Sequence, residues 1–283
     1  MNFLQSFWEA LESLSANKMR SGLTVLGIVI GVAAVIAMIS IGRGAENTIT
    51  GSIQGIGTNL VFVFSGGSEE VRNPKPITFG DAEAIGDPFQ APSVAAVAPV
   101  LQGLVAVSFA GETANTVLQG VTPDFEEVRN RTVTEGEYIS EGHILGRASV
   151  ALLGIDTADK LFGRTSGVTG ETVRIEGQPF RVIGILEERG GSSFNNEDDT
   201  VLVPISTAQT RLLRRSTTDR VDMLMVQAAS ADTVPNASQE IAQILRSRHR
   251  TEIGADDFTI LTQQDFLSTA ETITGVLTIF LGG

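Results

Sequence analysis

One long, unbroken apolar run stands out in this chain against many short ones, and the contrast sets its organisation. Residues 21–42, SGLTVLGIVIGVAAVIAMISIG, hold 22 positions without a charge. At about 1.5 Å per residue, a helix of that length crosses a hydrocarbon core of roughly 30 Å. Eleven of the residues are Leu, Ile or Val, which together favour insertion by about 4 kcal/mol. A core helix of a soluble protein is rarely apolar on every face. A cleaved signal peptide has a shorter apolar region and a small-x-small site, which GRGA at 42–45 does not supply. The run therefore reads as a retained transmembrane helix. Upstream, Phe3, Leu4, Phe7, Trp8, Leu11 and Leu14 share one helical stripe, with Gln5, Glu9, Glu12 and Ser13 opposite. Residues 1–20 are accordingly expected to place an amphipathic helix in the membrane interface.

Beyond the span the pattern shortens. Residues 43–59 have no Pro and continue the helix as a stalk that GIGTN at 55–59 ends. Strands are expected at 60–64, 94–100, 103–109 and 113–121, the last two joined by a hairpin at 110–112. Thr78-x-x-Asp81 opens a short helix through Ile85 in the manner of a capping box. From 122 to 219 the strand signals become short and dense: 150–153, 173–175, 180–186 and 201–203. Glu176-Gly177-Gln178 forms a clear hairpin signal, and Gly163 closes a helix over 157–162. A further helix, capped by Ser206, is expected through Leu213. The character of 60–121 then returns, with a strand at 221–226, a helix at 235–249 and a strand at 258–261. The reading is α+β, with a β-rich unit inserted into a split domain. Residues 272–283 form an uncharged apolar run of 12 that cannot span a bilayer. It reads as the start of a second span cut short, so the chain is expected to be a fragment.

Charge and chemistry narrow the function. The net charge of −13 falls almost wholly after the span, which argues against nucleic acid and anionic lipid as partners of the outer part. With no cysteine there is no thiol nucleophile or thiolate metal site. No phosphate-binding loop of the Gly-x4-Gly-Lys type is present. His143 and His249 lack companions at recognisable spacing and read as surface histidines. Glu197, Asp198 and Asp199 read as a solvated acidic loop. No catalytic, cofactor or metal site is expected. The candidate functional residues are small ones within the span. Gly27 and Gly31 form a GxxxG pair and Ala33 and Ala37 repeat the spacing, positions that let another helix approach closely.

Lys18 and Arg20 before the span, against Arg43 behind it, favour a cytoplasmic N-terminus by a margin of one. Several stretches point further. KMRSGLTVLGIVIGVAAVIAMISIGRGA (18–45) resembles the first span of MacB-type permeases, the membrane subunits of ABC transporters in the wider FtsX-like group. GIGTNLVFV (55–63), GVTP (120–123), VALLGIDTADKLFG (150–163), FRVIGILEERG (180–190), LRSRHR (245–250) and DDF (256–258) are similar to that family's extracytoplasmic domain. The resemblance implies a cytoplasmic interfacial helix at 1–20, a span at 21–42 and a stalk at 43–59. It also implies a porter-like α+β subdomain from 60–121 and 220–262, a β-rich insert at 122–219, and a stalk with the start of a second span at 263–283. Family members continue through three further spans and a cytoplasmic loop that docks the ATPase. The implied function is that of a bacterial inner-membrane permease subunit with no enzymatic activity. Its implied partners are an ABC ATPase, a second permease protomer and an extracytoplasmic adaptor. The alternative is a single-span anchored sensor or binding module without transport; a membrane-anchored hydrolase has only the acidic loop in its favour.

Overall fold

A single helix, α1 (Lys18–Gln54), carries the apolar run and continues beyond it. The computed structural model describes residues 7–9, 18–54, 57–67, 74–192, 195–213 and 219–282. Residues 7–9 are helical, and the rest of the amphipathic helix expected over 2–17 lies outside the described residues. The 37 residues of α1 extend about 55 Å, well past the thickness of a bilayer core. Its segment Lys18–Gly44 has a mean hydropathy of 2.7 and is long and apolar enough to cross a membrane. The chain divides into two compact units, one formed by Met1–Gly51 with Leu267–Gly283, the other by Ser52–Phe266.

The second unit is mixed α and β, as the alternation of short strand and helix signals implies. Strand β1 (Leu60–Ser65) leads to α2 (Phe79–Ile85). Thr78 and Asp81 form the capping box their spacing predicts: the Thr78 hydroxyl accepts from the Asp81 N–H, and the carboxylate accepts from the Thr78 N–H. A long antiparallel hairpin of β2 (Val94–Phe109) and β3 (Glu112–Val121) follows. Its two turn residues, Ala110 at φ 49° and Gly111 at φ 99°, give the left-handed geometry whose twist matches the flanking strands. The expectation of two strands over 94–109 is corrected here to one of 16 residues. Gly103 does not break the strand. A Cβ there would lie 2.5 Å from a methyl of Leu213, so its role is close packing.

Short elements fill the next stretch: α3 (Asp124–Val128), β4 (Val133–Gly136), α4 (Glu141–Leu145) and β5 (Val150–Leu153). Helix α5 (Ile155–Phe162) ends at Gly163 in the left-handed conformation. Strands β6 (Thr172–Ile175) and β7 (Gln178–Leu186) close on Glu176 and Gly177, both at positive φ. The pair β8 (Gly191–Ser192) and β9 (Asn195–Asn196) precedes β10 (Thr200–Pro204). The helix expected from Ser206 to Leu213 is corrected to one turn, α6 (Ile205–Thr207), running into a π turn at Ala208–Leu212. Ser206 does not cap it, because its hydroxyl donates to the Ile144 carbonyl instead. The chain closes with β11 (Met223–Ala228), α7 (Val234–His249), β12 (Phe258–Thr262) and α8 (Gln263–Gly282).

Nine strands run in the order β12-β1-β11-β2-β3-β10-β5-β7-β4, with β6 pairing to β2 and β7. Pairing is antiparallel except for β3 with β10 and β5 with β7. Successive residues of a strand face opposite sides, and β1 is apolar from Leu60 to Phe64 because both sides are covered. Val61 and Val63 join Ile85, Ile241 and Leu245 of α2 and α7 in one core. Leu60 and Phe62 join Phe125, Met223 and Met225 in another on the opposite face. The first half of β2 pairs with β11. Its second half, with β3, pairs with β6 and β10 from the middle of the chain.

Candidate functional site

The four small residues singled out in the span all lie on α1, exposed within this chain. A helix turns about 100° per residue, so Gly27 and Gly31 sit about 40° apart, and so do Ala33 and Ala37. The midpoints of the two pairs differ by about 120°, which makes them two faces and not one stripe. A Cβ built at Gly27 or Gly31 meets nothing within 4 Å. Among the described residues, both faces are open to a second helix.

The two long helices connect along the chain to neighbouring strands of the second unit's sheet. Helix α1 feeds β1, and β12 feeds α8. These strands pair antiparallel, from Val61↔Thr262 to Ser65↔Phe258. The ends that connect to the helices therefore lie side by side. Helix α8 is capped by Thr262, whose N–H and hydroxyl donate to Asp265 at 2.7 Å, while its hydroxyl accepts from the Asp265 N–H. Phe266 in its first turn packs edge-on against Phe62, with centroids 5.7 Å apart. This second Thr-x-x-Asp cap, at 262–265, carries the same local signal as the one at 78–81, although it is not among the elements expected from the sequence.

At the opposite end of the β1–β12 pair, next to Phe258, lies a buried polar cluster that sequence reasoning missed. His249 ends α7 and Asp257 precedes β12, while Asp81 sits in the first turn of α2; all three are 5% exposed or less. This corrects the reading of His249 as a surface residue. Its Nδ1 lies 2.8 Å from Asp257 Oδ1 and its Nε2 3.4 Å from Asp81 Oδ2. A protonated ring donates to both carboxylates, whereas a neutral one has a single N–H to share between them. Arg248 Nε donates to Asp81 Oδ1 at 2.5 Å. Lys75 donates through its backbone N–H to Asp257 at 3.1 Å, and through Nζ to the His249 carbonyl. Burial alone would raise the Asp81 carboxyl, but hydrogen bonds from Arg248, Thr78 and His249 outweigh it and hold it below its ordinary value. The cluster ties α2, α7 and the entry to β12 into one block. The fragments LRSRHR and DDF hold Arg248, His249 and Asp257, but the pairing of the first two with Asp81, 168 residues from His249, is a long-range fact.

The acidic run at 197–199 also departs from its reading as a solvated loop. Glu197 receives Arg129 at 2.7 Å, and its carbonyl receives Arg131 at 2.7 Å. Asp198 is 2% exposed and accepts the N–H groups of Arg189 and Gly190 at 3.0 and 2.7 Å. Asp199 pairs with Lys160 at 2.8 Å. Glu197 pins the β7–β10 connection to the segment after α3, Asp198 closes that connection on itself and Asp199 ties it to α5. His143 is half-buried, and its Nδ1 accepts from the Ser140 N–H at 3.2 Å.

A helix long and apolar enough to cross a membrane precedes an α+β unit whose first and last strands are paired. The chain belongs to the MacB-like periplasmic core domain family, whose sequence model matches residues 21–244. It is 32% identical over 286 residues to the macrolide export ATP-binding/permease protein MacB of Bdellovibrio bacteriovorus, covering 97% of this chain and 43% of that protein. To the protein of the same description from Chlorobium luteolum it is 32% identical, covering 99% and 42%. The pyoverdine export ATP-binding/permease protein PvdT of Pseudomonas syringae pv. syringae is 30% identical, with 94% and 39% covered. The chain thus spans about two-fifths of the length of the curated relatives it matches. Its fold matches the periplasmic region of MacB from Actinobacillus actinomycetemcomitans with a TM-score of 0.62 at 20% identity, covering 79% of this chain and 97% of that one. It also matches the extracellular domain of the noncanonic ABC-type transporter YknZ from Gram-positive bacteria, with a TM-score of 0.59 at 24% identity, covering 72% and 100%. The family and the apolar helix together fit a membrane protein with an extracytoplasmic domain.

Proposed function

We propose that this chain is the membrane subunit of an ABC exporter, with its N-terminus in the cytoplasm and the Ser52–Phe266 unit outside. ATP hydrolysis falls to a separate nucleotide-binding subunit, and this chain is a lever and docking surface, not a catalyst. Two copies work together, and an extracytoplasmic adaptor docks on the outer unit. The observation that carries this reading is the pairing of β1 with β12, which gives both long helices a purchase on one sheet. The curated relatives, which are named as export ATP-binding/permease proteins, support the export reading.

Within the outer unit we read two subdomains, one from 60–121 and 220–262 and an insert at 122–219. The β2–β3 ribbon is the beam they share. On the membrane side, Gly27 and Gly31 face a helix of the second protomer or of a later span, because small residues let backbones approach where lipid offers no hydrophobic drive. The test is Gly27→Leu/Gly31→Leu in the full-length exporter with its ATPase. Leu favours insertion, so membrane levels and ATP hydrolysis are expected to stay normal while export falls. Unchanged export would overturn the packing role. A single-span sensor would instead show no ATPase dependence at all.

A further inference from the structure

A cavity of about 360 Å³ opens on the face of the sheet opposite α2 and α7, wholly within the Ser52–Phe266 unit. Its floor crosses five adjacent strands, β1, β11, β2, β3 and β10, and polarity rises along that order. Phe62 and Phe64 of β1 and Met223 and Met225 of β11 form the apolar end. In the middle, Gln102 and Gln119, directly opposite in the β2–β3 register, present two amide side chains. At the far end stand Arg129, Arg131 and Glu197. Two aromatic rings from outside the sheet complete the walls: Phe125 of α3, and Phe266 from the first turn of α8. Leu104, two residues beyond Gln102 on the same face of β2, is 82% exposed and extends the apolar surface past the rim.

We infer that this cavity binds a small, uncharged amphipathic molecule, with an aromatic or aliphatic body on the Phe and Met side chains and a hydrogen-bonding group at the glutamines. Three observations select that chemistry. Thioethers and aromatic rings supply an adaptable apolar surface, the usual lining of small-molecule sites. The two amides offer both donors and acceptors. The charges at the polar end are already paired among themselves, Arg129 and Arg131 with Glu197 at 2.7 and 3.5 Å and Lys160 with Asp199 at 2.8 Å. A ligand ion of either sign would have to compete with these pairs for a partner and would lose its hydration on entry. Phe266 closes the cavity from the helix that leaves the outer unit, so occupancy acts on the residue that joins α8 to the sheet. The inference deepens the export reading by naming a ligand class, and it rests on that reading only for what binding serves.

The chain carries its own reporters. Of its five methionines, Met223 and Met225 line the cavity, and Met1, Met19 and Met38 lie in the N-terminal stretch. The whole chain, in lipid nanodiscs with isotope-labelled methionine methyl groups, is titrated with naphthamide, naphthoate and naphthylmethylammonium and read by NMR. Naphthamide is expected to shift Met223 and Met225 saturably while leaving Met19 and Met38 in place, and to bind about tenfold tighter than either ion. Val117→Trp, which fills the floor, should abolish those shifts. Gln119→Leu should keep binding but remove most of the preference for the amide. No saturable shift at Met223 and Met225, equal affinity for the ions, or undiminished binding in Val117→Trp would each overturn the assignment. Binding is read on the isolated chain and export in cells, so failure of one reading leaves the other standing.

Discussion

At the scale of single residues, the decisive group is the imidazole held between two carboxylates. His249→Leu keeps the volume but removes both ring contacts, leaving Asp81 and Asp257 facing apolar atoms. We expect a loss of about 2–4 kcal/mol, measured as a lower urea midpoint for the outer unit. The cluster also fixes the sign of an acid response. The Asp81 carboxyl is depressed in the folded protein, so its stabilisation is fully present above the unfolded carboxylate value of about 3.9. It is lost as pH falls through the lower folded value. Asp81→Asn should lower stability at neutral pH and flatten the decline of stability on the acid side, as followed by denaturation between neutral and acid pH. None of this was legible from composition. A histidine with no neighbour in sequence looks solitary, and its partners arrive only when α7, α2 and the start of β12 converge. The Thr78–Asp81 cap, by contrast, spans one turn and is legible directly.

Among the elements, those with a local cause are legible in the sequence, and those that depend on contact are not. The apolar run, both two-residue hairpins and the Gly163 stop each carry their cause within a few residues. The stretch 122–149 gives no such signal, because α3 and α4 are five-residue helices, too short to show a period. Gly103 looks like punctuation and is a packing contact. Gly120 makes the same point more strongly: a Cβ there would lie 2.5 Å from Ala208 Cβ and 3.4 Å from the Ile205 backbone. Gly120→Ala should therefore cost about 1–3 kcal/mol, more than Gly103→Ala, where the obstacle is the end of a leucine side chain; chemical denaturation of the two variants compares them. The hairpins separate in a similar way. Ala110→Asn places a residue suited to positive φ before Gly111 and should raise the midpoint by a few tenths of a kcal/mol or more. Glu176→Asn should bring no such gain, because the Glu176 carboxylate already accepts the Ala106 N–H at 2.7 Å.

Taken as a whole molecule, the chain has a helix long and apolar enough to cross a membrane and a folded α+β unit, with the chain passing between the two units twice. If the N-terminus is cytoplasmic, a membrane-impermeant thiol reagent should label Phe89→Cys, 96% exposed on the outer unit, and spare Glu9→Cys in intact cells. The reverse pattern would overturn the topology. The junction itself has a mechanical consequence. Hydrogen bonds between antiparallel strands lie perpendicular to the chain. Pulling β1 and β12 the same way along their length leaves the bonds between them unstrained and loads those from β1 to β11 together, in shear. Spreading the two helices sideways loads the β1–β12 bonds one at a time, beginning at Val61↔Thr262, as a zipper opens from its tab. The Phe62–Phe266 contact spans that tab. The β1–β12 seam is thus spared by a displacement that carries both strands together and weakest to one that parts them.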